Sequence, residues 1–233
     1  MTSPVLFGLC ASSALVIGAL AGLNWEPPRR LLAGILAFAA GALTAALSFE
    51  LFEVSFQRGG TLNSAVGLIA GALVFIGIDT ALDRRVRSTG GSGVGLALLA
   101  AVTLDGVPEN LALGTTIAGG GGSIALLVAI FASNLPESLV GARSMRDNGR
   151  SRRFVIGLWA IAAIALALAV IAGAELLKGV GGESLSVVLA FAGGAVLASL
   201  VDTLFPKAYE DGGPWVAIAT VAGFLVSFLL GTV

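Results

Sequence analysis

The sequence predicts an all-α, polytopic membrane protein of eight transmembrane helices, and three observations predict it. Hydrophobic residues fill 57% of the 233 positions and charged residues only 12%. Mean hydropathy is +0.99, far more apolar than a soluble domain whose outer face must be wetted. The apolar residues form eight runs, each near the roughly 20 residues that a helix needs to cross the hydrocarbon core. Third, the basic residues concentrate in alternate linkers, the charge pattern of a chain that crosses a bilayer repeatedly.

The eight predicted helices cover residues 4–23, 31–56, 62–83, 93–117, 123–146, 154–177, 184–206 and 214–232. Short linkers rich in Gly, Pro or Arg join them, so residues 1–233 read as one transmembrane domain. The first run carries Ala19-Leu20-Ala21, which resembles a signal-peptide cleavage site, but Met1 to Pro4 supplies no basic region before it. It is read as a retained helix. Arg29, Arg30, Arg84, Arg85, Arg87, Arg143, Arg146, Arg150, Arg152, Arg153 and Lys207 fall on one side of alternating spans. Only Arg58 and Lys178 fall on the other. Basic loops stay in the cytoplasm, which places both termini outside a cell membrane crossed by multiple passes. Trp25, Trp159 and Trp215 fall near predicted interfaces and read as anchors in an aromatic belt.

The chain also resembles itself. Phe38-Ala39-Ala40-Gly41-Ala42-Leu43 in helix 2 matches Phe191-Ala192-Gly193-Gly194-Ala195-Val196 in helix 7 at an offset of 153. Ala70-Gly71-Ala72 in helix 3 matches Ala222-Gly223-Phe224 in helix 8 at 152. Helices 2 and 7 run in opposite directions in the predicted topology. An inverted repeat of helices 1–3 and 6–8 around helices 4–5 is therefore expected, the architecture of secondary transporters.

Composition also excludes functions. A net charge of −1 and a pI near 5.4 leave no basic surface for nucleic acid. Cys10 is the only cysteine, so no internal disulfide forms; it reads as a small core residue. With no histidine in the chain, the commonest transition-metal ligand is missing, and any metal site must be built largely from oxygen.

Glu50, Glu53, Asp105, Glu109, Glu137 and Asp202 lie inside the apolar helices. An intramembrane acid costs about 2.5–3.5 kcal/mol at a helix centre and so marks a functional site by default. Asp105 and Glu109 are four residues apart on one helical face. Their like charges call for a bound cation or a proton. The two central helices carry related peptides, Asp105-Gly106-Val107-Pro108-Glu109-Asn110-Leu111 and Ser133-Asn134-Leu135-Pro136-Glu137-Ser138-Leu139. A proline inside a helix cannot donate to the carbonyl four residues earlier, which frees the Leu104 and Ala132 carbonyls beside the glutamates. Ser133 and Asn134 precede Glu137 by four and three residues, so their oxygens share its face. Together these groups form a cage of hard oxygen ligands suited to a dication. Glu50 and Glu53 near the outer end of helix 2, and Asp202 near the inner end of helix 7, are candidates for the outer and inner mouths of a pathway. Snorkelling to interfacial water explains such positions equally well. Asp79 and Asp83 read as cytoplasmic boundary charges.

These paired Pro-Glu peptides resemble the motifs of the ZIP (Zrt/Irt-like) family of divalent metal transporters, His-Asn/Ser-x-Pro-Glu-Gly in helix 4 and His/Gln-Asn/Asp/Glu-x-Pro-Glu-Gly in helix 5. The span count, outside termini and three-two-three helix arrangement are similar as well. By position, the resemblance implies a primary metal site of Asp105, Glu109, Ser133 and Glu137. It also implies a neighbouring second site of Asn134 with Glu109 and Glu137. Asp105 and Ser133 stand where the family has nitrogen ligands, Gly106 lacks a ligand atom, Asn110 and Ser138 replace motif glycines, and helix 6 has no acid between Phe154 and Gly173. Zinc is expected from the resemblance, whereas an all-oxygen site leans toward Mn²⁺, with Fe²⁺ next. The expected activity is uptake of such a cation, with no prosthetic group and no enzymatic chemistry. The expected partners are the metal ion, the lipid bilayer and a second copy in a homodimer. Rival readings are an intramembrane enzyme using Glu109 and Glu137 as acid and base, and a non-transporting metal sensor or scaffold derived from a transporter.

Overall fold

The computed structural model describes residues 3–88, 94–120 and 122–232. The side chains of residues 83, 85–102, 104 and 105 lie outside the described part. Every regular element among the described residues is helical. In order these are α1 (Pro4–Asn24), α2 (Arg29–Ala46), a π-helical segment (Leu47–Glu53), α3 (Val54–Ser88), α4 (Val94–Ala118) and α5 (Ile124–Asp147). There follow α6 (Arg152–Leu176), α7 (Gly182–Ser199), a second π-helical segment (Leu200–Leu204), α8 (Phe205–Gly212) and α9 (Val216–Gly231). Ser3, Ser123 and Ser151 accept hydrogen bonds from the backbone N–H three residues on and start α1, α5 and α6, the usual satisfaction of orphan donors.

Helices α1, α5 and α6, together with the continuous helical stretches Arg29–Leu82 and Gly182–Gly231, are long and apolar enough to cross a membrane. A straight helix of 54 residues would measure about 80 Å, against a hydrocarbon core of about 30 Å. Neither long stretch is straight. Gly60 adopts φ 71°, ψ −175° and Gly213 adopts φ 65°, ψ −159°, a backbone region open essentially to glycine alone.

Contacts show that the chain reverses at each of these glycines. Approaching Gly60, Leu51 lies against Gly193 and Gly59 against Ser186; beyond it, Gly67 lies against Val187 and Ala190, and Gly71 against Phe191 and Ala195. The chain thus runs antiparallel to α7 and then returns parallel to it. Gly213 repeats the backbone conformation of Gly60, and from it α9 runs parallel to α2: Gly212 lies against Ala33, Gly41 meets Thr220 and the Phe49 ring meets Phe228 with centroids 5.2 Å apart. Each long stretch is therefore a pair of limbs.

The packing is bare backbone against backbone. A Cβ built on Gly41 would run into the Thr220 carbonyl, on Gly194 into Leu68, on Gly71 into Phe191 and on Gly223 into Phe38. These are the small-residue positions that let membrane helices approach closely. The four contacts form two equivalent pairs under the offsets of 153 and 152 seen in the sequence. The two π-helical segments also begin 153 residues apart, at Leu47 and Leu200, as do the two reversals at Gly60 and Gly213. One polar feature breaks the match. Ser55 and Ser186 each donate to the other's carbonyl at 2.8 Å, whereas the corresponding positions, Ala208 and Ala33, are buried alanines.

One apolar core joins Leu36 and Leu43 of α2 to Leu113 of α4, Ile130 of α5 and Leu189 of α7. Another joins Leu15 of α1 to Met145 of α5 and to Trp159 and Leu166 of α6. The outside is apolar too: Leu62, Val66, Ile69, Leu73 and Ile76 of α3 and Ile218, Val221, Leu225 and Leu229 of α9 are all exposed. Helices apolar on both faces suit a lipid surrounding.

Two expectations change. Trp159 is 2% exposed and packs over Gly141, so it is a core residue, while Trp25 and Trp215 are exposed. Cys10 is exposed and does not belong to the core, because it lies on the outward face of α1. Two of the linker-side arginines do more than carry charge: Arg146 donates to the Leu23 carbonyl at 2.8 Å and Arg143 pairs with Glu26 at 2.5 Å. They tie the end of α5 to the end of α1, where uncapped carbonyls attract cations.

Candidate functional site

The Pro-Glu peptides sit inside unbroken helices, Pro108 within α4 and Pro136 within α5. In each, the side chain two residues after the proline turns back to a carbonyl of its own helix. The Asn110 amide donates to the Gly106 carbonyl at 2.8 Å, and the Ser138 hydroxyl donates to the Asn134 carbonyl at 2.8 Å. These bonds reinforce the turn at which the proline removes a backbone donor.

Glu109 is 3% exposed and Ser133 and Asn134 are 1% exposed; Glu137 is half-buried. The two helices meet at this level, where the Ser133 hydroxyl donates to Glu109 Oε2 at 3.4 Å and to its own helix at the Ile130 carbonyl at 3.0 Å. A hydroxyl has one proton. The Glu109 carboxylate and the Ile130 carbonyl therefore share that proton, and the lone pairs of Ser133 Oγ remain able to accept or to ligate. Glu137 follows Ser133 by one helical turn on the same face. Asp105 lies one turn before Glu109 on α4, and its side chain lies outside the described residues.

Two amide atoms complete the picture. Asn110 Oδ1 and Asn134 Nδ2 are buried without a hydrogen-bond partner, and an unmet buried polar atom costs about 1–3 kcal/mol. Among the described residues, no three Asp, Glu or Cys side chains converge in a metal-holding group.

The three mouth candidates share an unforeseen feature, since Glu50 and Glu53 lie on the first π-helical segment and Asp202 on the second. Such segments occur frequently at functional sites, and no periodicity rule would have revealed them. Glu50 lines a cavity of about 240 Å³ together with Thr115, Thr116, Arg58 and Ser123. Thr116 is two turns beyond Glu109 on the same face of α4. Arg58 donates to the Gly119 carbonyl at 2.9 Å, capping the end of α4. Asp202 lines a different cavity, of about 530 Å³, with Asp79 and Thr80; among the described residues its walls come from α3, α7 and the second π-helical segment.

No protein-family model matches this chain, and no curated protein matches its sequence.

Proposed function

We propose that this protein is a divalent-cation transporter of the ZIP type, with eight spans, both termini outside and an inverted repeat of helices 1–3 and 6–8 around helices 4–5. The observation that carries the reading is the buried Glu109 carboxylate held against Ser133 across the α4–α5 seam. A buried ionised carboxylate is costly in an apolar surround, and a cation passing between the helices removes that cost. Support for the repeat comes from the equivalent glycine contacts, π-helical segments and reversals at one common offset.

In this mechanism the cation sheds part of its water to Glu109, Glu137, Ser133 and Asn134, with Asp105 one turn below Glu109. Glu50 and Glu53 concentrate cations at the outer mouth, and Asp202 serves the inner side. Protons and metal compete for the same oxygens, so protonation of Glu109 or Glu137 assists release. The oxygen-rich donor set favours Mn²⁺ and Fe²⁺, and the family resemblance favours Zn²⁺.

Uptake into proteoliposomes tests the proposal. The purified chain should carry Mn²⁺ or Zn²⁺ faster than Mg²⁺, and Glu109→Ala and Glu137→Ala should each reduce the rate at least tenfold, as expected when a charged ligand worth more than about 1.4 kcal/mol is lost. Equal uptake by the variants would overturn it, and binding without flux would favour a sensor or scaffold.

A further inference from the structure

The first π-helical segment and the end of α9 enclose a cavity of about 320 Å³, lined by Glu50, Glu53, Gln57, Ser227 and Thr232 among others. It is separate from the α4–α5 seam. Ser227 stands out within it. Other hydroxyls on these helices fold back onto their own backbone: Thr44 donates to the Ala40 carbonyl, Ser48 to Thr44 and Thr220 to Val216. Ser227 does not, although it is only 3% exposed, and its Oγ has no partner. Glu50 and Glu53 lie three residues apart on the π-helical segment and line the same cavity, so their like charges repel, and Gln57 Nε2 donates to Glu53 Oε1 at 3.1 Å. Gly231 leaves room for the Glu50 carboxylate over the end of α9, since a Cβ there would stand 2.8 Å from Glu50 Oε1.

We infer that this cavity is a second cation site, in which Glu50, Glu53 and Ser227 Oγ bind a partly hydrated divalent cation. Two repelling carboxylates gain by sharing a positive charge, and the unmet serine oxygen supplies a neutral ligand on the opposite wall. A hard dication that keeps several waters fits two carboxylates and a hydroxyl. Glu50 lines both this cavity and the one reaching Thr115 and Thr116, so its carboxylate can pass the ion from the outer site toward the top of the seam. That transfer rests on the transport reading above, whereas binding at the outer site does not.

The test is calorimetric titration of the purified full-length chain with Mn²⁺, run on the wild type, Glu53→Gln, Ser227→Ala and Glu109→Ala. The wild type should bind two ions. Glu53→Gln and Ser227→Ala should each weaken one of them by about tenfold, the effect of losing one charge-assisted contact, and leave the other unchanged. Glu109→Ala should remove only the other. In a chain with Cys10→Ser, modification of Ser227→Cys by a water-soluble thiol reagent should be slowed by Mn²⁺, and slowed equally when Glu109→Ala is added. Titrations of Glu53→Gln and Ser227→Ala that match the wild type, or a wild type that binds one ion in total and loses it with Glu109→Ala, would overturn the outer site. Loss of an ion in the Glu53 and Ser227 variants but none in Glu109→Ala would uphold the outer site and overturn the seam.

Discussion

Glu109 shows what burial demands of a single residue. At 3% exposure its carboxylate cannot borrow bulk water, so its charge must be met by a neighbour, a proton or a cation. Ser133 supplies one such neighbour across the seam, sharing its proton with Ile130. Ser133→Ala should therefore weaken Mn²⁺ binding about three- to tenfold, the worth of one hydrogen bond or ligand contact of about 1 kcal/mol. A titration indistinguishable from the wild type would remove Ser133 from the site. Glu109 and Ser133 are legible in the sequence because an acid beside a proline in an apolar run has no ordinary explanation. Ser227 is not legible, since one hydroxyl in an apolar helix normally satisfies itself on the preceding turn; only the packed structure shows that it does not. Trp159 is misread for a related reason. Position along a span says how deep a residue lies, but not whether it faces lipid or a glycine such as Gly141.

At the scale of elements, the reversals at Gly60 and Gly213 and the glycine contacts between limbs hold the arrangement together. Gly60→Ala and Gly213→Ala should each destabilise the protein by about 1–3 kcal/mol, the cost of forcing a side chain into that backbone region. Gly194→Val should cost a similar amount or more, because its Cβ meets the Leu68 backbone rather than a yielding side chain. Gly77, with nothing within 4 Å of an added Cβ, is the control: Gly77→Ala in mid-helix should be neutral or stabilise by up to about 1 kcal/mol. Thermal unfolding in detergent compares all four. The predicted helices match the observed ones to within a few residues at most ends because apolar run length is a strong signal. The second and third predicted helices instead merge into one helical stretch with a glycine break at Gly60, and the seventh and eighth merge in the same way with a break at Gly213. The π-helical segments are likewise invisible to sequence, since one widened turn leaves the composition unchanged.

For the whole molecule, the apolar exterior and the two matching sets of limbs point to a protein that works inside a bilayer. Orientation is testable by cysteine labelling in a Cys10→Ser background. Cysteines placed at Ser3 and Thr232 should react with an impermeant reagent added to intact cells, and one at Arg150 should react only after permeabilisation; the reverse pattern would invert the proposed topology. Whether a cation is held between α4 and α5 is read from anomalous diffraction by crystals grown with Mn²⁺. A peak is expected within about 2.5 Å of a carboxylate oxygen of Glu109 and of Glu137, the contact distance of a dication to oxygen. A protein that carries Mn²⁺ elsewhere while this seam shows no peak would contradict it.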